Sequence, residues 1–210
     1  MNQIEILITR YPVLRPCRDA IETAAAEIIR AFENGGTLLV CGNGGSYGDA
    51  EHVSGELMKG FHKKRPLPAE KKRNLISAGG ELGGRLAESL QQPLRTINLM
   101  GMPAVSTAFS NDVNPEFTCA QLALAFADGN SVFLGISTSG NAKNVLAAAV
   151  TAKAMGARLI GLTGADGGKM NGLFDVIIKA PETETYKIQE LHMPVCHAIC
   201  LAAEERFFAD

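Results

Sequence analysis

The chain has 210 residues, of which 46% are hydrophobic and 20% charged, so it can form one globular domain with a substantial core. Its formal net charge of −2 gives no overall positive field that would attract nucleic acid or an anionic membrane. We therefore expect neither as a partner.

The amino terminus lacks a basic start followed by a continuous apolar run, so it does not read as a secretory signal. No stretch approaches the roughly 20 apolar residues that span a bilayer, and we expect a cytoplasmic protein. The five cysteines form an odd set without a CxxC pair, which argues against a disulfide framework or a cysteine-rich zinc site. We expect them to be buried apolar residues.

The first predicted elements are a helix, a strand and a second helix. Apolar residues at helical spacing predict a helix over Cys17–Asn34, which Gly35 and Gly36 end. The apolar run TLLVCG over Thr37–Gly42 predicts a strand, which enters the loop GNGGS before a helix that continues to Met58.

The segment from Phe61 to Pro93 departs from this pattern. Its basic clusters KKR at 63–65 and 71–73 precede GGELGG, and no strand is evident. We interpret it as an excursion from the core, either a solvated loop or a lid that brings a cation to an anionic substrate. Its glycines do not occupy a strand-to-helix turn, so they are not a dinucleotide fingerprint.

The same order of elements returns in the second half. A strand over Ser131–Ile136 leads into STSGN, an Ala-rich helix over Lys143–Met155 and the strand RLIGLT, and further strands are predicted over Arg95–Met100 and Asp175–Ala180. Alternating strands and helices predict an α/β fold with a roughly five-stranded parallel sheet flanked by helices. We predict a single domain over 1–210, with an N-terminal helical segment and the excursion at about 61–93.

Two loops at strand-to-helix junctions are candidate anion sites. Gly42-Asn43-Gly44-Gly45-Ser46 lies where free backbone N–H groups and a helix dipole favour an anion, although a structural turn uses the same glycines. Ser137, Thr138 and Ser139 offer three hydroxyls at the equivalent junction, where helix capping is the alternative. Neither loop ends in Gly-Lys-Ser/Thr, so a phosphomonoester fits better than a nucleoside triphosphate.

Two helices carry candidate acid–base or metal-binding groups. His52 and Glu56 are four residues apart and project from nearly one face, which suits a shared ligand, while an exposed pair without function is the alternative. The last helix carries Gln189, His192 and His197; we expect His192 to be a core residue and Pro194 to perturb the helix locally.

Asn111 and Asp112 offer an amide and a carboxylate that suit sugar hydroxyls, with a local turn or cap as the equal alternative.

Taken together, the segments CGNGGSYGDAEHVSGEL, FSNDVNPEF, GISTSGN, LTGADGGKM and IQELHMPVCH resemble, in order and spacing, the phosphoheptose isomerases of the sugar-isomerase (SIS) fold. The resemblance spans nearly the whole chain except 61–93. It implies a three-layer SIS fold and conversion of sedoheptulose 7-phosphate to D-glycero-D-manno-heptose 7-phosphate. It also implies a homotetramer with active sites between subunits.

Motif by motif, the resemblance assigns roles to individual residues. Substrate-binding positions correspond to Asn43, Gly44, Gly45, Ser46, Glu56, Asn111, Asp112, Ser137, Thr138, Ser139 and Gln189. Positions of the family's zinc site, one Zn²⁺ per subunit, correspond to His52, Glu56, Gln189 and His197. Glu56 and His197 match its acid–base pair, which implies proton transfer through a cis-enediol.

The chain also departs from the family pattern. Ala142 replaces a common phosphate-binding serine and Gly60 a usual arginine, so Lys59 or a basic residue of the excursion is a candidate replacement cation. Another phosphosugar is therefore an open alternative. The rival from a different class is a non-catalytic SIS protein such as the relative that associates with the replication initiator, and those proteins lack the acid–base pair. A regulatory phosphosugar sensor is a further alternative, because binding loops do not demonstrate turnover.

Overall fold

In the computed structural model, which describes residues 2–208, helices alternate with strands after an all-helical start. The helices are α1 (Gln3–Arg10), α2 (Arg18–Glu33), α3 (Gly45–Met58), α4 (Ala69–Ser89), α5 (Pro103–Asp112), α6 (Thr118–Phe126), α7 (Lys143–Ala154) and α8 (Thr185–Phe207). The strands are β1 (Leu38–Gly42), β2 (Thr96–Asn98), β3 (Val132–Ile136), β4 (Arg158–Thr163) and β5 (Val176–Lys179).

The five strands form one parallel sheet in the order β2-β1-β3-β4-β5. Leu39 of β1 pairs with Phe133 of β3, which pairs in turn with Leu159 of β4. The three central strands are apolar over almost their whole length, as expected when helices cover both faces. The predicted fold class, an α/β sheet flanked by helices, is confirmed.

Alternate strand residues build two cores, one on each face of the sheet. Val40 and Leu134 pack on one face with apolar residues of α1, α2, α3 and α8. Leu39 and Phe133 pack on the other face with α6 and α7. The result is three layers, with α3 and α8 packed against each other in one of the outer layers.

Most predicted elements occur within a few residues of their expected bounds. The segment Arg95–Met100 contributes only the short strand β2, and helices α5 and α6 were not predicted. Helix α8 continues through Pro194 without a break, so the expected perturbation does not interrupt it. Its packing against three other helices offsets the loss of one backbone donor at Pro194.

The excursion is a helical hairpin, so the expectation of a solvated loop is wrong. Helix α4 turns back on itself at Gly80, whose φ of 53° is open to glycine but strained for other residues. Lys72 Nζ consequently lies 3.1 Å from Glu88 Oε1, although a straight helix would separate them by about 24 Å. A Cβ at Gly83 would overlap the Leu75 carbonyl, so glycine also permits the close approach of the two arms.

The two ends of this hairpin meet at its base. An isolated antiparallel bridge joins Pro66 to Gln91, and Gln92 N donates to the carbonyl of Arg65 at 2.8 Å. The chain thus departs after α3 and returns before β2 at nearly the same point.

All five cysteines are buried free thiols, as predicted. Across residues 2–208, every helix is too short or too polar to cross a membrane.

Candidate active site

The two candidate anion loops lie side by side. Strands β1 and β3 are parallel neighbours, and Gly42 pairs with Ile136 at their carboxyl ends. The loop after β1 therefore adjoins Ser137, Thr138 and Ser139 after β3. Ligands of open α/β sheets bind at this edge.

Amide side chains connect the two loops. Asn43 and Asn144, in the first turn of α7, exchange two hydrogen bonds of 2.8 Å. The Asn43 side chain, expected to contact substrate, is thereby hydrogen-bonded to the first turn of α7. Gln189 of α8 lies against the same loop, because a Cβ at Gly45 would overlap its amide.

The loop of Ser137, Thr138 and Ser139 does not cap α7, the helix that follows it. The N-cap residue of α7 is Ala142, and the structure described for this helix shows no side-chain hydrogen bond at its cap. The alternative role of these hydroxyls, as caps of the helix, is therefore not supported. Asn141 holds the loop, since its amide donates to Ser139 O (2.8 Å) and accepts from Lys169 N (3.1 Å).

His52, Glu56 and His197 converge as the sequence predicts. Glu56 Oε1 lies 2.8 Å from His52 Nε2 and 3.3 Å from His197 Nε2, and the two Nε2 atoms are 3.2 Å apart. Glu56 is buried, whereas both imidazoles reach the surface. The ring of Phe61 lies against His197 with ring centroids 5.8 Å apart.

This trio fits a metal ion. Ligand atoms of a tetrahedral zinc site are roughly 3.4 Å apart, given zinc–ligand bonds of about 2.1 Å, which is close to the separations within the trio. Glu56 Oε2 is also buried without a hydrogen-bond partner among the described residues. Two imidazole nitrogens and a carboxylate are a donor set that zinc prefers.

Asp49 on α3 and His192 on α8 form a second pair of a carboxyl group and an imidazole, and both residues are buried. The sequence predicted only the burial of His192. Asp49 Oδ2 and His192 Nδ1 are 4.0 Å apart, and neither has a hydrogen-bond partner among the described residues. His192 Nε2 lies 3.3 Å from the Thr163 carbonyl, so it carries the proton of the neutral ring. Nδ1 is then an acceptor that faces a carboxyl oxygen.

The protonation of this pair follows from its burial. Desolvation raises the pKa of Asp49 to about 6, and the nearby His52 only partly opposes it. Desolvation lowers the pKa of His192 to about 4, partly opposed by the Thr163 carbonyl. Both shifts favour the uncharged forms of the two side chains.

Asn111 and Asp112 lie at the C-terminal end of α5. Their exposed side chains bond to each other, with Asn111 Nδ2 donating to Asp112 Oδ1 at 2.8 Å. Helix α5 has no fully buried residue. Their assignment as sugar contacts stays a prediction.

Several basic residues of the excursion bind other side chains of the same chain. Arg65, read as part of a solvated cluster, is only 1% exposed and binds Glu204. Lys71 donates to Gln92 and Lys72 pairs with Glu88. At Gly60 a Cβ would lie 2.6 Å from the Lys63 carbonyl oxygen, so the backbone leaves no room for the usual arginine.

The sequence matches the SIS domain family over residues 12–72 and again over 107–202. It is 37% identical over 188 residues to phosphoheptose isomerase 2 of Campylobacter jejuni, covering 90% of this chain and 81% of that protein. It is 35% identical to the phosphoheptose isomerase of Aneurinibacillus thermoaerophilus, covering 100% and 91%. The solved phosphoheptose isomerase of Francisella tularensis superposes with a TM-score of 0.73 at 25% identity, covering 98% of this chain and 100% of that one.

Proposed function

We infer what the chain does from the family to which it belongs, the phosphoheptose isomerases of the SIS-domain fold. It is an aldose–ketose isomerase that acts on a phosphosugar, with sedoheptulose 7-phosphate as substrate and D-glycero-D-manno-heptose 7-phosphate as product. The observation that carries this function is the contact between Glu56 and His197, because an isomerase needs two groups that exchange protons within one site.

The reaction moves one hydrogen between neighbouring carbons. One of the pair Glu56 and His197 removes a proton from C1 of the ketose, while the other delivers a proton to the carbonyl oxygen, which gives a cis-enediol. Return of a proton to C2 and loss of the proton on O1 then give the aldose. The burial of Glu56 excludes water from one side of this exchange.

We assign the phosphate of the substrate to the loop of Ser137, Thr138 and Ser139. Its hydroxyls and the N–H groups at the start of α7 are donors, and the helix dipole favours the negative charge. Asn43, Gly44, Gly45 and Ser46 in the adjoining loop, together with Gln189, would contact the sugar.

We propose a zinc ion as cofactor, held by His52, Glu56 and His197 with Gln189 as a further ligand. The geometry of the first three supports this assignment. When bound, the ion would polarise the carbonyl and enediolate oxygens. The protein residues would orient the sugar and transfer its protons.

We also propose a homotetramer with active sites between subunits. Large apolar side chains are exposed between α6 and α7, among them Phe117, Leu124 and Val150. The α4 hairpin likewise exposes Ile76 and Leu82. A second copy of the chain would cover such faces. We propose the cytoplasm as compartment, since all five thiols are unpaired.

The regulatory alternative is less well supported. A sensor needs the phosphate loop but has no need for a carboxylate and an imidazole in contact beside it.

A panel of ketose phosphates tests the proposed function. We expect turnover of sedoheptulose 7-phosphate, and losses of at least about 100-fold in kcat for Glu56→Gln and for His197→Ala. His62→Ala serves as a control because this exposed histidine lies outside the trio. Retained activity in metal-free Glu56→Gln protein would exclude the mechanism, and specific binding to a protein without turnover of any sugar would favour the regulatory role.

A further inference from the structure

A buried ion pair adjoins the backbone of Glu56, a member of the catalytic trio. Arg65 Nε donates to Glu204 Oε1 at 2.8 Å, and both residues are 1% exposed. Burying two charges is expensive unless their hydrogen-bonding capacity is used. The contacts of these two side chains show how that capacity is used.

Glu204 organises the backbone that follows α3. Its two carboxylate oxygens accept from three consecutive N–H groups, those of Phe61 (2.9 Å), His62 (2.8 Å) and Lys63 (3.0 Å). This fixes the segment that places the Phe61 ring against His197. Glu204 and His197 are seven residues apart on α8, almost two turns, so they lie on one face of the helix.

Arg65 holds the end of α3 itself. Its two terminal nitrogens donate to the carbonyls of Leu57 (2.7 Å) and Glu56 (3.0 Å). Carbonyls in the last turn of a helix lack intrahelical partners, and a cation there also suits the helix dipole. The central carbon of the guanidinium, Cζ, lies over the ring of Phe208, 4.9 Å from its centroid.

We propose that Arg65 and Glu204 are positioning residues for the proton transfer, because together they hold the backbone of Glu56 against the helix that carries His197. This role rests on the proposed isomerase function. The pair joins α3 to α8 on the inner side of the trio, so it fixes the separation of 3.3 Å between Glu56 Oε1 and His197 Nε2. A displacement of about 1 Å between reacting groups can cost about 100-fold in rate.

Arg65→Lys and Arg65→Ala test the proposal. Lysine keeps the charge and can bind Glu204. It lacks the planar guanidinium fork, so it cannot also donate to the carbonyls of both Leu57 and Glu56. We expect kcat to fall by roughly 10- to 100-fold in both variants with KM changed less than about threefold. Methylguanidinium added to Arg65→Ala should restore part of kcat. Arg206→Met is the control, since Arg206 lies on α8, the helix that carries Glu204, but pairs at the surface with Glu33.

A kinetic isotope effect separates positioning from folding. With substrate deuterated at the carbon that loses its proton, we expect a larger isotope effect on kcat in both Arg65 variants than in the wild type. A loss that merely follows the folded fraction would leave KM and the isotope effect unchanged, and it would overturn the positioning role. Wild-type values of kcat and isotope effect in both variants would overturn it too. An inactive wild type would instead remove the isomerase function, and the positioning role with it.

Discussion

Asn43 and Asn144 exchange two hydrogen bonds of 2.8 Å across the edge of the sheet, 101 residues apart in the chain. Asn43 follows β1 and Asn144 lies in the first turn of α7, so the pair joins the loop after β1 to the helix that follows Ser137, Thr138 and Ser139. The two halves of the proposed substrate site are therefore connected to each other within the chain.

Replacing Asn144 by leucine should weaken substrate binding more than it slows turnover. The change removes both hydrogen bonds, each contributing about 1 kcal/mol, and it frees the glycine loop. We expect KM for the phosphosugar to rise by roughly 5- to 30-fold with a smaller change in kcat. Asn144→Asp keeps an acceptor for the Asn43 amide and should show an intermediate KM. Equal KM values in all three proteins would contradict this role.

Gly45→Ala should impair the site without unfolding the chain. The new Cβ would overlap the Gln189 amide, which is the end of a flexible side chain and can move away from its place. We expect reduced activity with a melting temperature close to that of the wild type. Gly48→Ala, on the same helix with nothing within 4 Å, is the matched control. It should keep full activity and gain up to about 1 kcal/mol in free energy of unfolding.

Zinc binding should depend on His52. We expect about one zinc per chain in the purified protein, and a loss of affinity in His52→Ala greater than the 10- to 100-fold typical for an outer-shell residue. Competition with a chromophoric chelator measures the affinity. His62→Ala should bind as the wild type does. A wild-type chain that binds no zinc, or an unchanged affinity in His52→Ala, would exclude this site.

The buried pair of Asp49 and His192 should give opposing pH dependences of stability. The pKa of Asp49 is raised in the native state, so its contribution to the free energy of unfolding grows as pH falls through 6 towards 3.8. The pKa of His192 is lowered, so the unfolded chain binds the proton first and stability falls as pH drops from 6.5 to 4. In the wild type the two effects largely cancel.

Asp49→Asn should expose the contribution of His192 alone. Between pH 6.5 and 4 we expect this variant to lose up to about 3 kcal/mol more stability than the wild type. Urea unfolding at a series of pH values measures the difference. Parallel pH profiles for the two proteins would show that the pair does not titrate as described.

Leu124→Glu should dissociate the proposed tetramer. A charge in the exposed apolar groove between α6 and α7 carries a large desolvation cost if another subunit covers it. Sedimentation velocity should show smaller species than in the wild type. The variant Ile76→Glu tests whether the α4 hairpin shares the interface. A monomeric wild type would rule the assembly out.

The sheet and the pair of His52 and Glu56 were predictable because local patterns determine them, whereas His197 lies 145 residues from His52 and was placed beside them by the family resemblance alone. Apolar runs such as TLLVCG identify central strands, and the spacing of His52 and Glu56 places both on one helix face. Arg65 was not predictable, because a basic cluster reads as solvated and its partner Glu204 lies 139 residues away. The turn at Gly80 was not predicted, because the four glycines at 79, 80, 83 and 84 weaken the helical pattern of the two short arms.

The hairpin formed by α4 has its two ends joined at the bridge between Pro66 and Gln91. A segment that departs and returns at one point can be shortened, exchanged or replaced by a foreign domain while the surrounding backbone keeps its path. This position can therefore accept new sequence, and variation there would change the proposed subunit contacts of Ile76 and Leu82 while leaving His52, Glu56 and His197 in place.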